Sequence, residues 1–279
     1  MPEFSRLIVT LAALIVLGGC LSPTPPPAEA PATTPAEAPP RRAEQPATPD
    51  PPTTPAPAAP ADKSELEYIE VVTGGATAED PLPLIVAVHG LGDRPESFGR
   101  LVRGYSKPAR FIMPRAPEPY HEGYSWFPLG RPLDNPPEPV IAQMKRSAAR
   151  LATLIEELKV KRPTRGEPVI LGFSQGGLMS YLVATRHPTH VKAALPVSGW
   201  LPNPLIPTAL PASAPTIRAM HGESDTLIPA GPTQAMVEKM TGLGFQVTLK
   251  TWPGVPHTIT RPMREELFGY LDALVQEAP

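Results

Sequence analysis

The architecture of this chain can be inferred from Pro168-Val169-Ile170-Leu171-Gly172-Phe173-Ser174-Gln175-Gly176-Gly177, in which an apolar run leads into a serine between glycines. The apolar run predicts a buried strand, and the run from Leu178 to Arg186 predicts a helix. A G-x-S-x-G pattern between strand and helix places the serine hydroxyl on a tight turn at the end of the strand. The flanking glycines are needed because the strand and helix backbones cross there too closely for a Cβ atom.

Two further segments follow Ser174, and each comes directly after a strand-like run. Asp225 ends the segment His221–Asp225, and His257 ends the segment Pro253–His257. A serine hydroxyl needs a base to take its proton as it attacks, and imidazole titrates near neutral pH. A carboxylate can hold that imidazole in the correct tautomer. The order Ser174, Asp225, His257 therefore predicts a catalytic triad in the chain order of the α/β-hydrolase fold.

Histidines in such positions can also serve in roles other than catalysis. His257 could be a hydrogen-bonded surface histidine, although its place between the last strand and a final amphipathic helix favours the catalytic role. The spacings His221-x-x-x-Asp225 and His89-x-x-x-Asp93 could belong to metal ligands, but neither pair has a clustered third ligand. We therefore predict no metal ion and no cofactor.

A fourth segment has the position of an oxyanion hole. Residues 84–88 (LIVAV) predict a buried strand, and this strand runs into His89-Gly90-Leu91-Gly92-Asp93. Acyl transfer needs two N–H groups aimed at the developing oxyanion, one from the residue after the nucleophile and one from the loop after an early strand. Gln175 and Leu91 are the candidates. An ordinary glycine-containing turn would suit the local sequence equally well, so the prediction depends on the other segments.

Taken together, five segments resemble the acyl-protein thioesterase/carboxylesterase (phospholipase/carboxylesterase) family of α/β-hydrolases over about residues 64–277. The segments are Val88–Asp93, Gly172–Gly177, Ser198-Gly199-Trp200-Leu201-Pro202, His221–Asp225 and Pro253–His257. The resemblance implies that the triad and both oxyanion donors fall at the residues named above. The chain departs from the family at Ser125-Trp126-Phe127-Pro128, where the family has Trp-Phe-Asp, and this departure concerns the substrate side of the cleft.

The expected activity is that of a serine esterase that hydrolyses carboxylic esters or thioesters of small molecules through an acyl-enzyme on Ser174. A peptidase or a polyester depolymerase on the same fold is an alternative within enzymes. A non-catalytic envelope lipoprotein that keeps the fold as a binding module is the alternative outside them. Acyl-chain length, natural substrate and oligomeric state stay open at this point.

Strand-like and helical runs alternate through the second part of the chain. The strand-like runs cover residues 66–72, 84–88, 110–113, 168–172, 192–197, 215–220 and 245–252. The clearest helix covers residues 139–160, where apolar residues recur at spacings of three and four. This alternation predicts an α/β fold with a mostly parallel central sheet and helices on both faces.

Between Met113 and Val140 lies a long segment rich in proline and aromatic residues. Segments of this length in compact domains are usually functional or disordered, and the aromatic residues argue against disorder. We predict a flap that lines the acyl pocket, with Trp126 in contact with substrate. The rival interpretation is that these rings only pack against the outer core.

Residues 1–20 have the features of a bacterial lipoprotein signal peptide. Arg6 precedes an apolar run from Leu7 to Leu17, which is shorter than the roughly 20 residues that a bilayer requires. The run ends in Leu17-Gly18-Gly19-Cys20, which resembles a lipobox, and Cys20 is the single cysteine of the chain. We predict lipidation of Cys20. Simple cleavage near Gly19 is the alternative.

Residues 21–62 consist almost wholly of Pro, Ala, Thr and Glu with no aromatic residue, so they have nothing to bury against themselves. We predict a polyproline-II-like spacer between the anchor and a catalytic domain at residues 63–279. The enzyme is accordingly expected in the bacterial cell envelope, held to a membrane through Cys20 and facing away from the cytoplasm. A formal charge of -2 gives no electrostatic reason to expect nucleic acid binding.

Overall fold

Nine strands occur in the computed structural model, which describes residues 63–130 and 132–276. They are β1 (Tyr68–Thr73), β2 (Leu84–Val88), β3 (Ala109–Pro114), β4 (Glu118–Tyr120), β5 (Gly123–Ser125), β6 (Val169–Phe173), β7 (Ala193–Val197), β8 (Thr216–Gly222) and β9 (Val247–Trp252). Seven of them form one sheet in the order β1-β3-β2-β6-β7-β8-β9, and β4 pairs with β5. Each of the seven predicted strand-like runs corresponds to a strand of this sheet.

The sheet is parallel except at one edge. β1 runs antiparallel to β3, and the other five neighbouring pairs are parallel. Every residue of β2, β3 and β7 is buried, as expected for strands that are covered on both faces. Continuous apolar runs rather than alternating ones therefore mark these strands in the sequence.

Helices cover both faces of the sheet. They are α1 (Pro95–Val102), α2 (Glu138–Lys161), α3 (Gln175–Arg186), α4 (Ala230–Gly242) and α5 (Arg261–Gln276). Apolar side chains of α2, α3 and α4 pack in one core cluster, whereas those of α1 and α5 pack in a second cluster on the opposite face. The predicted α/β-hydrolase fold, with a mostly parallel sheet between helices, is confirmed.

The segment between β3 and α2 has more structure than its sequence predicts. β4 and β5 form a short hairpin whose Tyr124 exchanges backbone hydrogen bonds with the loop after β2: Gly92 N donates to Tyr124 O, and Tyr124 N donates to Asp93 O. A Cβ atom on Gly123 would lie 2.2 Å from Gly92 O, so glycine is required at this approach. Strands of three residues are too short to show a period, and this hairpin depends on contacts distant in sequence.

The N-terminal predictions lie outside the described residues. They comprise the signal peptide at residues 1–20, the lipidated Cys20 and the spacer at residues 21–62. Within residues 63–130 and 132–276, no helix combines the length and the apolar character needed to cross a bilayer.

Candidate active site

The serine turn between β6 and α3 has the strained backbone that the glycine pattern predicts. Ser174 has φ 57° and ψ -116°, a conformation that costs a non-glycine residue about 1–3 kcal/mol. A Cβ atom on Gly172 would lie 2.2 Å from Gly176 O, and one on Gly176 would lie 2.0 Å from Val88 O. The two glycines therefore allow close backbone contacts between β6, the first turn of α3 and the end of β2. This packing presents the Ser174 hydroxyl at the carboxyl edge of the sheet.

The three predicted triad residues meet at this edge. His257 Nε2 lies 2.9 Å from Ser174 Oγ, and His257 Nδ1 lies 2.6 Å from Asp225 Oδ2. Because a carboxylate only accepts hydrogen bonds, Nδ1 carries the imidazole proton, and Nε2 is left to accept the Ser174 proton. The loops after β8 and β9 are brought together by Gly222, where a Cβ atom would lie 2.3 Å from Val255 O.

The Asp225 carboxylate is buried and surrounded by donors. Its side chain is 0% exposed, against 13% for that of His257. Its Oδ1 accepts the backbone N–H groups of Leu227 at 3.0 Å and Ile228 at 2.9 Å, while Oδ2 accepts the His257 proton. These bonds fix the plane of the carboxylate, so Asp225 can orient the imidazole.

The loop after β2 holds the predicted oxyanion donor in place. His89 Nδ1 donates to Gly90 O at 2.8 Å, and Asp93 N–H donates to the same carbonyl at 3.3 Å. The C=O and N–H of one planar trans peptide point in opposite directions, so the Leu91 N–H points away from His89. Leu91 lines the cleft together with Ser174, so its N–H is a candidate donor to an oxyanion formed there.

The second predicted donor, Gln175, is the first residue of α3. The first N–H groups of a helix have no acceptor within the helix, so the Gln175 N–H is available to an oxyanion. Its side chain is buried, and both polar atoms of its amide group are hydrogen-bonded. Oε1 accepts Trp126 N–H at 3.0 Å, and Nε2 donates to Phe127 O at 2.9 Å. The flap segment thereby fixes the start of α3.

Trp126 does not have the predicted role. Its side chain is 0% exposed and is not among the residues that line the cleft at Ser174. The indole Nε1 instead donates to His89 O at 3.0 Å, and the indole ring lies 5.5 Å from the His89 ring. The correction has a physical reason: a large apolar ring with one donor is more stable in the core with that donor satisfied. Trp126 supports the loop after β2 and lies outside the cleft.

The cleft at Ser174 is a largely apolar cavity of about 250 Å³. The flap contributes Leu129 and Leu133, the turn after β7 contributes Trp200, and the loop after β8 contributes Leu227 and Ile228. The flap thus lines the pocket as predicted, but it does so with its leucines. The rings of Trp126 and Phe127 belong to the core. A wall of this kind accepts the apolar part of a substrate.

The possible metal pairs at His89 and His221 are engaged in other contacts. His89 donates from Nδ1 and accepts Ala116 N–H at Nε2, at 3.2 Å. His221 Nε2 lies 2.8 Å from Ile228 O and 3.4 Å from Asp225 Oδ2. Burial lowers the pKa of both histidines, so both are neutral at neutral pH. In the part of the chain that the structure describes, no group of three or more His, Cys, Asp or Glu could hold a metal ion.

Three residues of the site have roles that the sequence does not predict. The sequence offers His89 and His221 only as metal ligands, and Trp200 only as part of a motif. Trp200 donates from Nε1 to Leu133 O at 3.1 Å, so it joins the flap to the end of β7. The signal that could identify the histidines is their position at the end of a buried strand, where a polar ring must find hydrogen-bond partners.

Comparison with known proteins agrees with this geometry. The profile of the phospholipase/carboxylesterase family of α/β-hydrolases matches residues 67–274. An acyl-protein thioesterase 1 from Gibberella zeae is 26% identical over 210 residues, which cover 67% of this chain and 88% of that protein.

Solved structures show the same fold. The acyl-protein thioesterase 2 of Zea mays superposes with a TM-score of 0.63 at 24% identity and covers 75% of this chain and 99% of its own. The esterase PE8 superposes with a TM-score of 0.63 at 23% identity, over 75% of this chain and 98% of its own. The family match covers more than half of the chain, and the predicted class of enzyme is confirmed. The chain therefore belongs to the phospholipase/carboxylesterase family and is a hydrolase of the serine esterase type.

Proposed function

We propose that this enzyme hydrolyses carboxylic esters or thioesters through an acyl-enzyme on Ser174. The observation that carries the proposal is the continuous hydrogen-bonded line from Ser174 through His257 to Asp225, which opens into an apolar cleft beside Leu91 and Gln175. Nucleophile, base, orienting carboxylate and oxyanion donors are thus all present at one end of one cavity.

In the first half of the reaction, Ser174 Oγ attacks the substrate carbonyl carbon while His257 Nε2 takes the hydroxyl proton. The carbonyl oxygen becomes an oxyanion, which accepts hydrogen bonds from the N–H groups of Leu91 and Gln175. The C–O or C–S bond then breaks, and the leaving alkoxide or thiolate takes the proton from His257. The acyl group stays on Ser174 as an ester.

In the second half, water takes the place of the leaving group. His257 removes a proton from this water, which attacks the acyl carbon, and the second tetrahedral intermediate collapses with return of the proton to Ser174. Asp225 stays ionised throughout and stabilises the imidazolium in both halves. The products are a carboxylic acid and an alcohol or thiol.

The apolar walls and modest volume of the cleft favour substrates with short to medium acyl chains. The relative from Gibberella zeae is an acyl-protein thioesterase, which makes thioesters a substrate class to test beside oxygen esters. A panel of p-nitrophenyl esters, acyl thioesters, acyl peptides and a soluble polyester ranks the proposed activity against the peptidase and depolymerase alternatives. Higher kcat/KM on peptide bonds than on esters would overturn the proposal.

The direct test of the nucleophile is covalent labelling with a fluorophosphonate probe. We expect stoichiometric labelling of the wild type and none of Ser174→Ala, because only an activated serine reacts. Ser106→Ala is the matched control, since Ser106 is exposed in a loop and outside the cleft. Labelling that survives in Ser174→Ala would show that another residue is the nucleophile.

We also propose that Cys20 carries lipid and holds the enzyme to a bacterial membrane, facing away from the cytoplasm. The proposal is supported by the sequence alone: an apolar run, the segment Leu17–Cys20 and a proline-rich spacer without aromatic residues. Two or more acyl chains hold a protein stably at a bilayer, with about 0.8 kcal/mol from each buried CH₂. Cys20→Ser should release an active enzyme into the soluble fraction. If the wild type is already soluble, or if Cys20→Ser stays with the membrane, the proposal is wrong.

A further inference from the structure

A second histidine reaches the buried carboxylate of the triad. His221 lies near the end of β8 with a side chain that is 0% exposed. Its Nε2 lies 2.8 Å from Ile228 O and 3.4 Å from Asp225 Oδ2. A carbonyl oxygen can only accept a hydrogen bond, so Nε2 carries the proton of this imidazole. That N–H is directed at the Ile228 carbonyl and, at longer range, at the oxygen that also receives the His257 proton.

The other nitrogen of His221 has no partner. Nδ1 is buried and makes no hydrogen bond, and the same is true of Ser198 Oγ. With the proton on Nε2, Nδ1 can only accept, whereas a serine hydroxyl can donate. An unsatisfied buried polar atom destabilises the folded state, so two such atoms of complementary character stabilise the protein if a hydrogen bond joins them.

The sheet brings these two residues side by side. Val197 of β7 is paired with Met220 of β8, and the ladder continues because Ser198 N–H donates to Met220 O at 2.8 Å. The next residues on the two strands are Ser198 and His221. Ser198 has a positive φ of 47°, so this turn is held in a strained conformation, as the Ser174 turn is.

We propose that Ser198 and His221 form a second hydrogen-bonded pair that positions Asp225 for catalysis. The Ser198 hydroxyl donates to His221 Nδ1 through one water molecule, since no direct hydrogen bond joins the two atoms in the structure. His221 Nε2–H then donates to Ile228 O and to Asp225 Oδ2. Both are positioning residues, because neither touches substrate or the reacting atoms. The inference deepens the proposed function, since it rests on Asp225 as the orienting carboxylate.

The loop between Asp225 and Ile228 explains how His221 affects the triad. Ile228 donates its N–H to Asp225 Oδ1, and its carbonyl accepts from His221. His221 therefore closes the loop that holds Asp225, besides its own contact with Oδ2. Ile228 also lines the substrate cleft, so the same loop joins the wall of the cavity to the triad.

The pair must be neutral for this role. Burial lowers the pKa of His221, and the charge of His257 acts in the same direction, while the hydrogen bond to the Ile228 carbonyl and the Asp225 carboxylate act against this shift. A cationic His221 would compete with the His257 imidazolium for the single negative charge of Asp225. A neutral donor fixes the carboxylate without weakening that interaction.

The test compares four variants on one p-nitrophenyl ester. His221→Gln keeps an N–H donor near the position of Nε2, His221→Met removes it at similar size, and Ser198→Ala removes the proposed donor to Nδ1. His187→Gln is the matched control, because His187 is a half-buried histidine outside the cleft. All variants are first compared by thermal unfolding, so that losses of folded protein are separated from losses of activity.

We expect His221→Met to lower kcat by about 10- to 100-fold with KM within about threefold, which is less than the roughly 10⁴-fold effect of losing the orienting carboxylate. His221→Gln should recover most of this loss, and Ser198→Ala should lower kcat by up to about tenfold. Unchanged kcat in a folded His221→Met, or no recovery in His221→Gln, would overturn the proposal and leave His221 as a packing residue.

A second measurement does not need the variants of His221 to fold. The ¹⁵N chemical shifts of the His221 ring in the wild type should show a neutral Nε2–H tautomer, and the Nδ1 shift should move in Ser198→Ala and not in His187→Gln. The opposite tautomer, or an Nδ1 shift that ignores Ser198→Ala, contradicts the pair. These shifts are read without substrate. If Ser174 fails to label with fluorophosphonate, the proposed function fails and the Ser198–His221 pair is still tested.

Discussion

Two serines with positive φ stand at the ends of neighbouring strands, and they differ in what surrounds them. Ser174 follows β6 with φ 57°, and Ser198 follows β7 with φ 47°. The Ser174 side chain opens into an apolar cleft and contacts His257, whereas Ser198 is fully buried beside the neutral His221. A strained turn alone therefore does not make a nucleophile. Access to substrate and a base that can take up a proton distinguish the two.

The largest expected effect is the loss of kcat when the residues around Ser174 that form the triad are replaced. Ser174→Ala and His257→Ala should each lower kcat by roughly 10⁴- to 10⁶-fold, and the double variant should be hardly worse, because the two residues act as one unit. Asp225→Asn should cost about 10⁴-fold through the wrong His257 tautomer. Steady-state kinetics on one ester, with active-site concentration checked by titration, measures these losses. Clearly additive losses would contradict the triad.

A smaller effect is expected at the contact between the two turns. A Cβ atom on Gly177 of α3 would lie 2.8 Å from Val197 O and 3.0 Å from Gly199 Cα. Gly177→Ala must push the Ser198 turn away from α3, so we expect a loss of about 1–3 kcal/mol in the free energy of unfolding.

Gly231→Ala is the control for that substitution. Gly231 lies in α4 with no atom within 4 Å of an added Cβ, so alanine there should be neutral or stabilise by up to about 1 kcal/mol. Urea unfolding of both variants makes the comparison. Equal stability of Gly177→Ala and Gly231→Ala would show that the two turns are not in tight contact.

Histidines that are wholly or partly buried predict a gradual loss of stability in acid. Burial lowers the pKa of His187 to about 4, and the neighbouring His190 and Arg186 act in the same direction. The unfolded chain binds this proton at about pH 6.5, so it binds more protons than the folded chain between those values. The contribution of neutral His187 to the free energy of unfolding is therefore fully present above about pH 6.5. It falls as the pH drops toward 4.

For one such group the slope reaches about 1.4 kcal/mol per pH unit. His187→Gln removes that group, so its free energy of unfolding should fall less steeply than that of the wild type over the same range. Burial also lowers the pKa of His89 and His221, so part of the slope should persist in the variant. Parallel curves for the two proteins would show that His187 titrates alike in the folded and unfolded states.

The smallest expected effect is that of chelators. His89 uses both ring nitrogens in hydrogen bonds, and both Asp225 oxygens accept donors within the protein. We therefore expect EDTA to leave esterase activity unchanged. Loss of activity that a divalent ion restores would revive a metal role for His221 and Asp225.

How much the sequence predicts depends on the range of the interactions involved. Ser174, Asp225 and His257 are identifiable because each follows a strand-like run, and parallel strands bring their carboxyl ends to one edge. The β4–β5 hairpin cannot be identified from the sequence, because its strands have three residues each and the hairpin is held by backbone hydrogen bonds to Gly92 and Asp93.

The position of Trp126 also depends on a contact distant in sequence, which its local sequence does not reveal. An aromatic residue in a long loop fits a pocket wall and an outer core equally well, and only the His89 carbonyl as acceptor places it in the core. The link between Ser198 and His221 likewise depends on the register of β7 and β8, which no local pattern carries.

The most direct test of the account is to find where the acyl group goes. The enzyme is mixed with p-nitrophenyl butyrate, quenched in acid during the first turnover, digested and analysed by mass spectrometry. A butyryl group on the peptide that contains Ser174, together with a burst of about one p-nitrophenolate per enzyme, is the predicted result. An acyl group on Ser198 or any other residue, or turnover by the wild type without burst or adduct, would contradict the acyl-enzyme on Ser174.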